Sequence, residues 1–455
     1  MSNENALFDE EFDLDFNEDG PAEESSEDLI GQLTGPVDAP YKEVEPGGVV
    51  PPPMSASQGG DRAIPAIAAL AFFETDETRQ VIERVASDRR MINATLDAWP
   101  GGIPAAIEHL SQNPTPNLLI VESSAHSSTM LQQIDELATR CEEGVQVMVI
   151  GATNDIPLYR QLVSRGVSEY LVPPIEPVQL VRAIGGLFTD PEAPFVGKSI
   201  SVIGAKGGVG ASTIAHNLAW SLAENAHVNT SLVDLDLSFG TTSLDFNHET
   251  QQTIADALLS PDRTDDAVIS RLLAKATDRL SLFTAPASVN QLMDIDAASY
   301  SMVIEGVRRL MPFVVLDLPH GWNEWIYNTL VTSDEVILVC QPDLASLRNG
   351  KNMVDQLKSQ RPNDNPPRLV LNMAGVPKRP EIPVKDFAAA IEVEPDVILP
   401  FDPQLFGTAS NKGQMISETD AQAKPSQAID HLASVLSGRE VTAPKKSLIQ
   451  KLLGK

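Results

Sequence analysis

Cysteine is nearly absent: Cys141 and Cys340 are the only two in 455 residues, which excludes a disulfide framework and a thiolate-rich zinc site. Cations are scarce as well. Thirty-three Lys and Arg stand against 63 Asp and Glu, a formal net charge of −30, and that imbalance argues against generic binding to nucleic acid. No apolar run approaches the roughly 20 residues that a membrane-spanning helix needs, and the acidic N-terminus lacks the cationic start of a secretory signal. The expected location is therefore cytoplasmic.

The length predicts two or three domains, and 42% hydrophobic residues supply their cores. Charge is unevenly spread. Residues 1–60 hold fifteen Asp or Glu against the single Lys42, with Pro51-Pro52-Pro53 and Gly59-Gly60 near the end. So little apolar surface cannot offset chain entropy, and a disordered acidic tail is expected. Phe8, Phe12, Leu14 and Phe16 interrupt the acids, either as a short docking motif or as an incidental pattern.

The most informative segment is Lys206-Gly207-Gly208-Val209-Gly210-Ala211-Ser212-Thr213. It follows the apolar run Ile200-Ser201-Val202-Ile203-Gly204 and precedes Ile214, Leu218 and Leu222, which share one helix face, so the glycines fall at a strand-to-helix turn. Small residues are needed there because backbone amides must turn inward around an anion. The following helix adds its N-terminal amides and partial positive charge. Gly207, Gly208, Val209, Gly210, Ala211, Ser212 and Thr213 are thus the candidate phosphate-binding residues, with the Ser212 hydroxyl placed to hold a magnesium ion.

An ordinary P-loop carries a lysine where this chain has Ala211. The cation stands instead at Lys206, and on that feature the segment resembles the deviant loop of the MinD/ParA family of dimerising ATPases. The resemblance implies ATP and Mg2+ as cofactors, a homodimer, and a Lys206 that reaches across to the partner's phosphates. Downstream, Ser231-Leu232-Val233-Asp234-Leu235-Asp236 is a short strand ending in two carboxylates, and Phe313-Val314-Val315-Leu316-Asp317 is a second buried strand with a terminal acid. Both acids would lie at the carboxyl edge of a parallel sheet, where ligands bind. By resemblance Asp236 orients the attacking water, while Asp234 and Asp317 belong to the metal site. Leu369-Val370-Leu371-Asn372 similarly places Asn372 at the adenine, and Ile398-Leu399-Pro400-Phe401-Asp402 resembles the segment flanking the base. Loss of the loop lysine removes a charge-assisted contact of about 1.5 to 3 kcal/mol. Binding that survives with slow hydrolysis is expected.

Residues 61–190 carry their own alternation. Ala66–Phe73, Leu118–Val121, Val145–Ile150 and Tyr170–Val172 read as buried strands, and Thr78–Ala86, Met130–Thr139 and Pro177–Leu187 as helices. Gly166 to Pro174 resembles the fifth strand of a bacterial receiver domain, which implies a flavodoxin-like layout. Receiver chemistry is missing by the same comparison. Glu122 stands for the phosphorylated aspartate, Glu74 and Asp76 for the acidic pair, Gly151 or Ala152 for the hydroxyl residue and Pro173 for the lysine. A pseudo-receiver serving dimerisation or docking is the expectation.

The fold class expected is therefore α/β throughout: a pseudo-receiver over 61–190, then a doubly wound ATPase-like domain over 196–440 with a mostly parallel sheet. A degenerate receiver joined to a lysine-poor MinD/ParA loop resembles the CpaE/TadZ family of type IVc (Tad, or Flp) pilus assembly. That resemblance implies a polar localisation factor whose partners are a polar landmark protein, the pilus secretion ATPase and inner-membrane platform proteins. The alternatives are a positioning ATPase for another cargo and a nucleotide-independent scaffold. Residues 441–455 form a basic tail in which Leu448, Ile449, Leu452 and Leu453 share one side of a potential helix, open to a membrane surface, to packing on the ATPase-like domain, or to no fixed contact.

Overall fold

The computed structural model describes residues 61–439, apart from 62, 143, 189–195, 249, 251 and 288–293. The expected acidic tail over 1–60 and basic tail over 441–455 lie outside the described residues. The N-terminal part forms a five-stranded sheet from β1 (Ala68–Phe73), β2 (Thr95–Pro100), β3 (Leu118–Ser123), β4 (Gln146–Gly151) and β5 (Glu169–Leu171), ordered β2-β1-β3-β4-β5. All its pairings are parallel. β3 is buried along its whole length, as a central strand covered on both faces must be, and its unbroken apolar run follows from that. Alternate side chains serve opposite layers. Leu119 and Val121 pack with Ile103, Met130 and Leu158, whereas Leu118 and Ile120 pack with Ile82, Leu180 and Ile184. The expected flavodoxin-like order is present. Three elements that sequence periodicity did not single out complete it: β2 and the helices Gly102–Leu110 and Ile156–Ser164.

The second sheet has eight strands: β6 (Lys198–Gly204), β7 (Thr230–Asp234), β8 (Ala274–Lys275), β9 (Leu280–Phe283), β10 (Phe313–Asp317), β11 (Glu335–Cys340), β12 (Arg368–Ala374) and β13 (Pro395–Pro400). Their order is β13-β12-β11-β6-β10-β7-β9-β8, and only the β8–β9 pairing is antiparallel. β6 lies between β10 and β11, both later in the chain. That reversal opens a crevice beyond its carboxyl end. One core layer joins Val233, Leu316 and Leu338 to Val303, Val307 and Val354, and the other joins Val202, Leu232 and Val315 to Ile214, Leu218 and Leu222. Cys340 is buried in the first.

A charged cluster links residues near the first sheet to the second. Arg90 donates to Asp88 at 2.7 Å, to Asp61 at 2.7 Å and to Asp364 at 2.8 Å, and Arg89 donates to Asp364 at 2.9 Å. Asn363 adds a bond to Asp88 at 2.9 Å, and the Asp61 amide donates to Asp334 at 2.6 Å.

Candidate nucleotide and metal site

β6 ends at Gly204 and the helix Ala211–Trp220 begins seven residues later, so the glycine-rich octapeptide bridges them at the mouth of the crevice. Gly208 and Gly210 have φ of +77° and +86°, the left-handed region that side chains disfavour. Gly210 is doubly constrained: it caps the helix without a side-chain bond, and a Cβ there would lie 2.6 Å from the Asn372 amide nitrogen. First-turn amides have no carbonyl partner within a helix, and those of Ala211, Ser212 and Thr213 face this turn. Carbonyls of the loop are held from outside. Asn349 Nδ2 donates to Ala205 O at 2.9 Å, Gln341 Nε2 to Gly208 O at 3.1 Å and Asn372 Nδ2 to Val209 O at 2.8 Å. With its carbonyls tied back, the loop is preorganised to direct its amides at an anion.

Asn372 therefore braces the loop and also lines a cavity of about 320 Å3 with Gly210, Thr213, Met373, Phe401 and Phe406. This cavity is also bounded by Pro400, Phe401 and Asp402, the segment that resembles a base-flanking strand and loop. Lys206 is half-buried, and its Nζ lies 2.8 Å from Asp343 Oδ2. Asp343 is also the N-cap of the helix Leu344–Gln360, accepting from Ser346 N. Burial opposes ionisation of Asp343, but Lys206 and the Ser346 amide outweigh it and hold the carboxyl below its usual value.

The metal candidates converge through strand register. Asp234 and Asp317 are direct partners on the neighbouring strands β7 and β10, so both carboxylates emerge side by side. Asp234 is fully buried and accepts from the amides of Asp236 and Thr242, each at 3.2 Å. Both carboxylate oxygens of Asp317 are buried without a hydrogen bond. Burial and the charge of Asp317 push the Asp234 carboxyl up to about 6. Asp236 is less enclosed and accepts from Phe239 N at 3.0 Å.

One residue of this centre was not singled out from sequence. His216, four positions after Ser212 on the same helix, is buried, with Nδ1 2.8 Å from Asp245 and Nε2 3.3 Å from Asp317. Burial alone would depress its pKa, yet the carboxylates of Asp245 and Asp317 push it up to about 10. A histidine between Ile214 and Leu218 was the available signal, since a polar ring on an apolar helix face requires partners.

The receiver-like end is chemically closed. Glu122 at the end of β3 accepts from Glu74 N at 2.6 Å, Thr75 N at 2.8 Å, and the Thr75 and Thr78 hydroxyls at 2.7 Å each. Its extra methylene, relative to aspartate, lets the carboxylate fill the space above the β1 loop. Glu74 turns instead to the Ser124 amide at 2.7 Å. Among the described residues, no helix is long and apolar enough to cross a membrane.

A family model described as an AAA domain matches residues 197–367. The pilus assembly protein CpaE of Caulobacter crescentus, a solved structure, is 44% identical over 28% of this chain and 98% of its own, with a TM-score of 0.28. The septum site-determining protein MinD of Synechocystis is 25% identical over 250 residues, 53% of this chain and 90% of that protein. MinD of Neisseria meningitidis is 25% identical over 279 residues, 56% of this chain and 99% of that protein.

Proposed function

Because the chain belongs to the CpaE-like MinD/ParA ATPases, we propose that it is a nucleotide-switched assembly factor for a type IVc pilus. ATP with Mg2+ fits the residues present. The left-handed Gly210 turn leaves the first-turn amides of the helix Ala211–Trp220 uncapped, and the orphaned carboxylate of Asp317 calls for a cation. Gly207, Gly208, Gly210, Ser212 and Thr213 bind the phosphates, and Asn372 and Phe401 border the base. Ser212 and Asp317 hold the magnesium, with Asp234 behind them. When bound, the ion neutralises phosphate charge and Asp236 orients the attacking water.

Ala211 contributes no charge, so Lys206 is the one loop cation. In the monomer it is engaged by Asp343; in the dimer it turns to the partner's phosphates. That exchange makes dimerisation depend on nucleotide, and with one phosphate contact fewer than an ordinary P-loop the switch turns over slowly. The dimer is the form that gathers at the cell pole and recruits the pilus secretion ATPase and inner-membrane platform proteins. The receiver-like part, with Glu122 filling its site, takes no phosphoryl group and serves as a docking module.

The single observation carrying this reading is the uncapped, glycine-turned helix start beside Asp317. Calorimetry with ATP and Mg2+ tests binding, and sedimentation tests the switch. Lys206→Ala is expected to retain nucleotide binding and lose nucleotide-dependent dimers and polar foci. No heat at millimolar ATP would leave a nucleotide-independent scaffold instead.

A further inference from the structure

We propose that His216, Asp234 and Asp317 form a direct binding site for a divalent first-row transition-metal ion, loaded without nucleotide. The proposal shares its carboxylates with the magnesium reading above, but it requires neither ATP nor a dimer.

Four observations carry it. One ligand atom from each of the three side chains lies within 4.8 Å of the others, a spread that a small contraction converts into bonds of about 2.0 to 2.2 Å to a shared ion. All three residues are buried, at 1%, 0% and 1% exposure. Two adjacent carboxylates so far from water call for a cation, because an uncompensated buried charge is strongly unfavourable. The ring of His216 makes no hydrogen bond to either carboxylate. Its Nε2 is 3.3 Å from Asp317 Oδ2 but off the hydrogen-bond line, and both Asp317 oxygens stay without a donor. Finally, the opposite ring nitrogen is fixed: Nδ1 faces Asp245 Oδ2 at 2.8 Å, and Asp245 also accepts from Thr241 at 3.2 Å and Ser410 at 3.4 Å.

A carboxylate holding Nδ1–H directs the Nε2 lone pair outward, the arrangement that orients metal-ligating histidines. In that tautomer Nε2 accepts from Thr242 and lies 3.3 Å from Asp317 Oδ2. Thr242 Oγ1, 3.0 Å from Nε2, completes the lining with a neutral oxygen. Such a donor set decides the class of ion. Mg2+ demands oxygen ligands in octahedral geometry and keeps its waters, whereas imidazole suits iron, nickel, copper and zinc, with affinity for the divalent ions rising from manganese to a peak at copper. On binding, the ring proton is released to solvent and the ion takes over the balance of charge against Asp234 and Asp317.

The test uses full-length protein, stripped with a chelator and free of nucleotide, titrated with Co2+ and separately with Mg2+. Visible d–d absorption and calorimetry follow binding. One Co2+ per chain, bound at least ten-fold more tightly than Mg2+, is expected. His216→Ala should lose the d–d bands and weaken Co2+ by more than ten-fold. Asp245→Asn, which keeps the three ligands, should weaken it by about 10- to 100-fold, and this variant decides the matter if His216→Ala does not fold. Equal affinity for Mg2+ and Co2+, or Co2+ binding unchanged in the variants, overturns the site. ATP binding by the parent protein, measured apart in Mg2+, reports the nucleotide reading alone.

Discussion

At the scale of residues, the crevice depends on how cations are shared among carboxylates. Lys206 and Asp343 form a half-exposed pair at 2.8 Å, a type worth about 0.2 to 1 kcal/mol. That modest strength suits a contact that must break when the lysine changes partner. Asp343→Asn keeps a cap for the helix Leu344–Gln360 while releasing Lys206, so it is expected to raise the nucleotide-dependent dimer fraction by about 1.4- to 5-fold, the Boltzmann equivalent of that pair. Sedimentation across an ATP series checks this, and an unchanged or lowered dimer fraction would show that the pair does not restrain Lys206. Lys206, Asp234, Asp236 and Asp317 were legible in sequence because each ends or follows an apolar strand. Asp343 and His216 were not, since one is disguised as a helix cap and the other sits inside an apolar helix face.

At the scale of elements, legibility followed burial. β3, β6 and β10 read as strands because continuous apolar runs belong to strands covered on both faces. β2 alternates between partly buried and exposed residues at the sheet edge, and the helix Gly102–Leu110 starts on the second of two glycines with no side-chain cap, so neither left the usual signature. The end of β3 shows the same limit. Substitution of Glu for the receiver aspartate announced lost chemistry, but the four donors that grip Glu122 come from the turn after β1 and the helix Asp76–Ala86 and required the fold. Glu122→Gln replaces an acceptor oxygen by an NH2 group aimed at donors already there. Leaving those groups unsatisfied costs about 1 to 3 kcal/mol each, and urea unfolding is expected to show a loss in that range. Incubation of the parent with acetyl phosphate should leave its mass unchanged; an added phosphoryl group on the segment containing Glu122 would contradict the closed site.

At the scale of the whole molecule, the two sheets are joined by ions rather than by a shared apolar core. Arg90 is 3% exposed and its charge is favoured: burial opposes it, but Asp88, Asp364 and Asp61 more than compensate. The acids respond in kind. Burial would raise Asp88 and Asp364, yet Arg90 with Asn363 for the first, and Arg89, Arg90 and Arg361 for the second, hold both below the ordinary value. Carboxyls depressed in the native state stabilise it fully above their unfolded value of about 3.9 and lose that contribution only as pH falls through the lower native values. The junction should therefore be insensitive to pH between 5 and 8 and weaken only in stronger acid. Arg90→Ala removes the shared partner of three aspartates, and stranding buried charges in this way costs about 3 to 5 kcal/mol. The loss should fall on the junction rather than on either core, because the aliphatic layers of the two sheets are separate. Calorimetric unfolding of Arg90→Ala at pH 7 is expected to split into two transitions, with the parent showing one that splits only below pH 4. A single, uniformly lowered transition in the variant would mean that the sheets unfold together through contacts other than these ions.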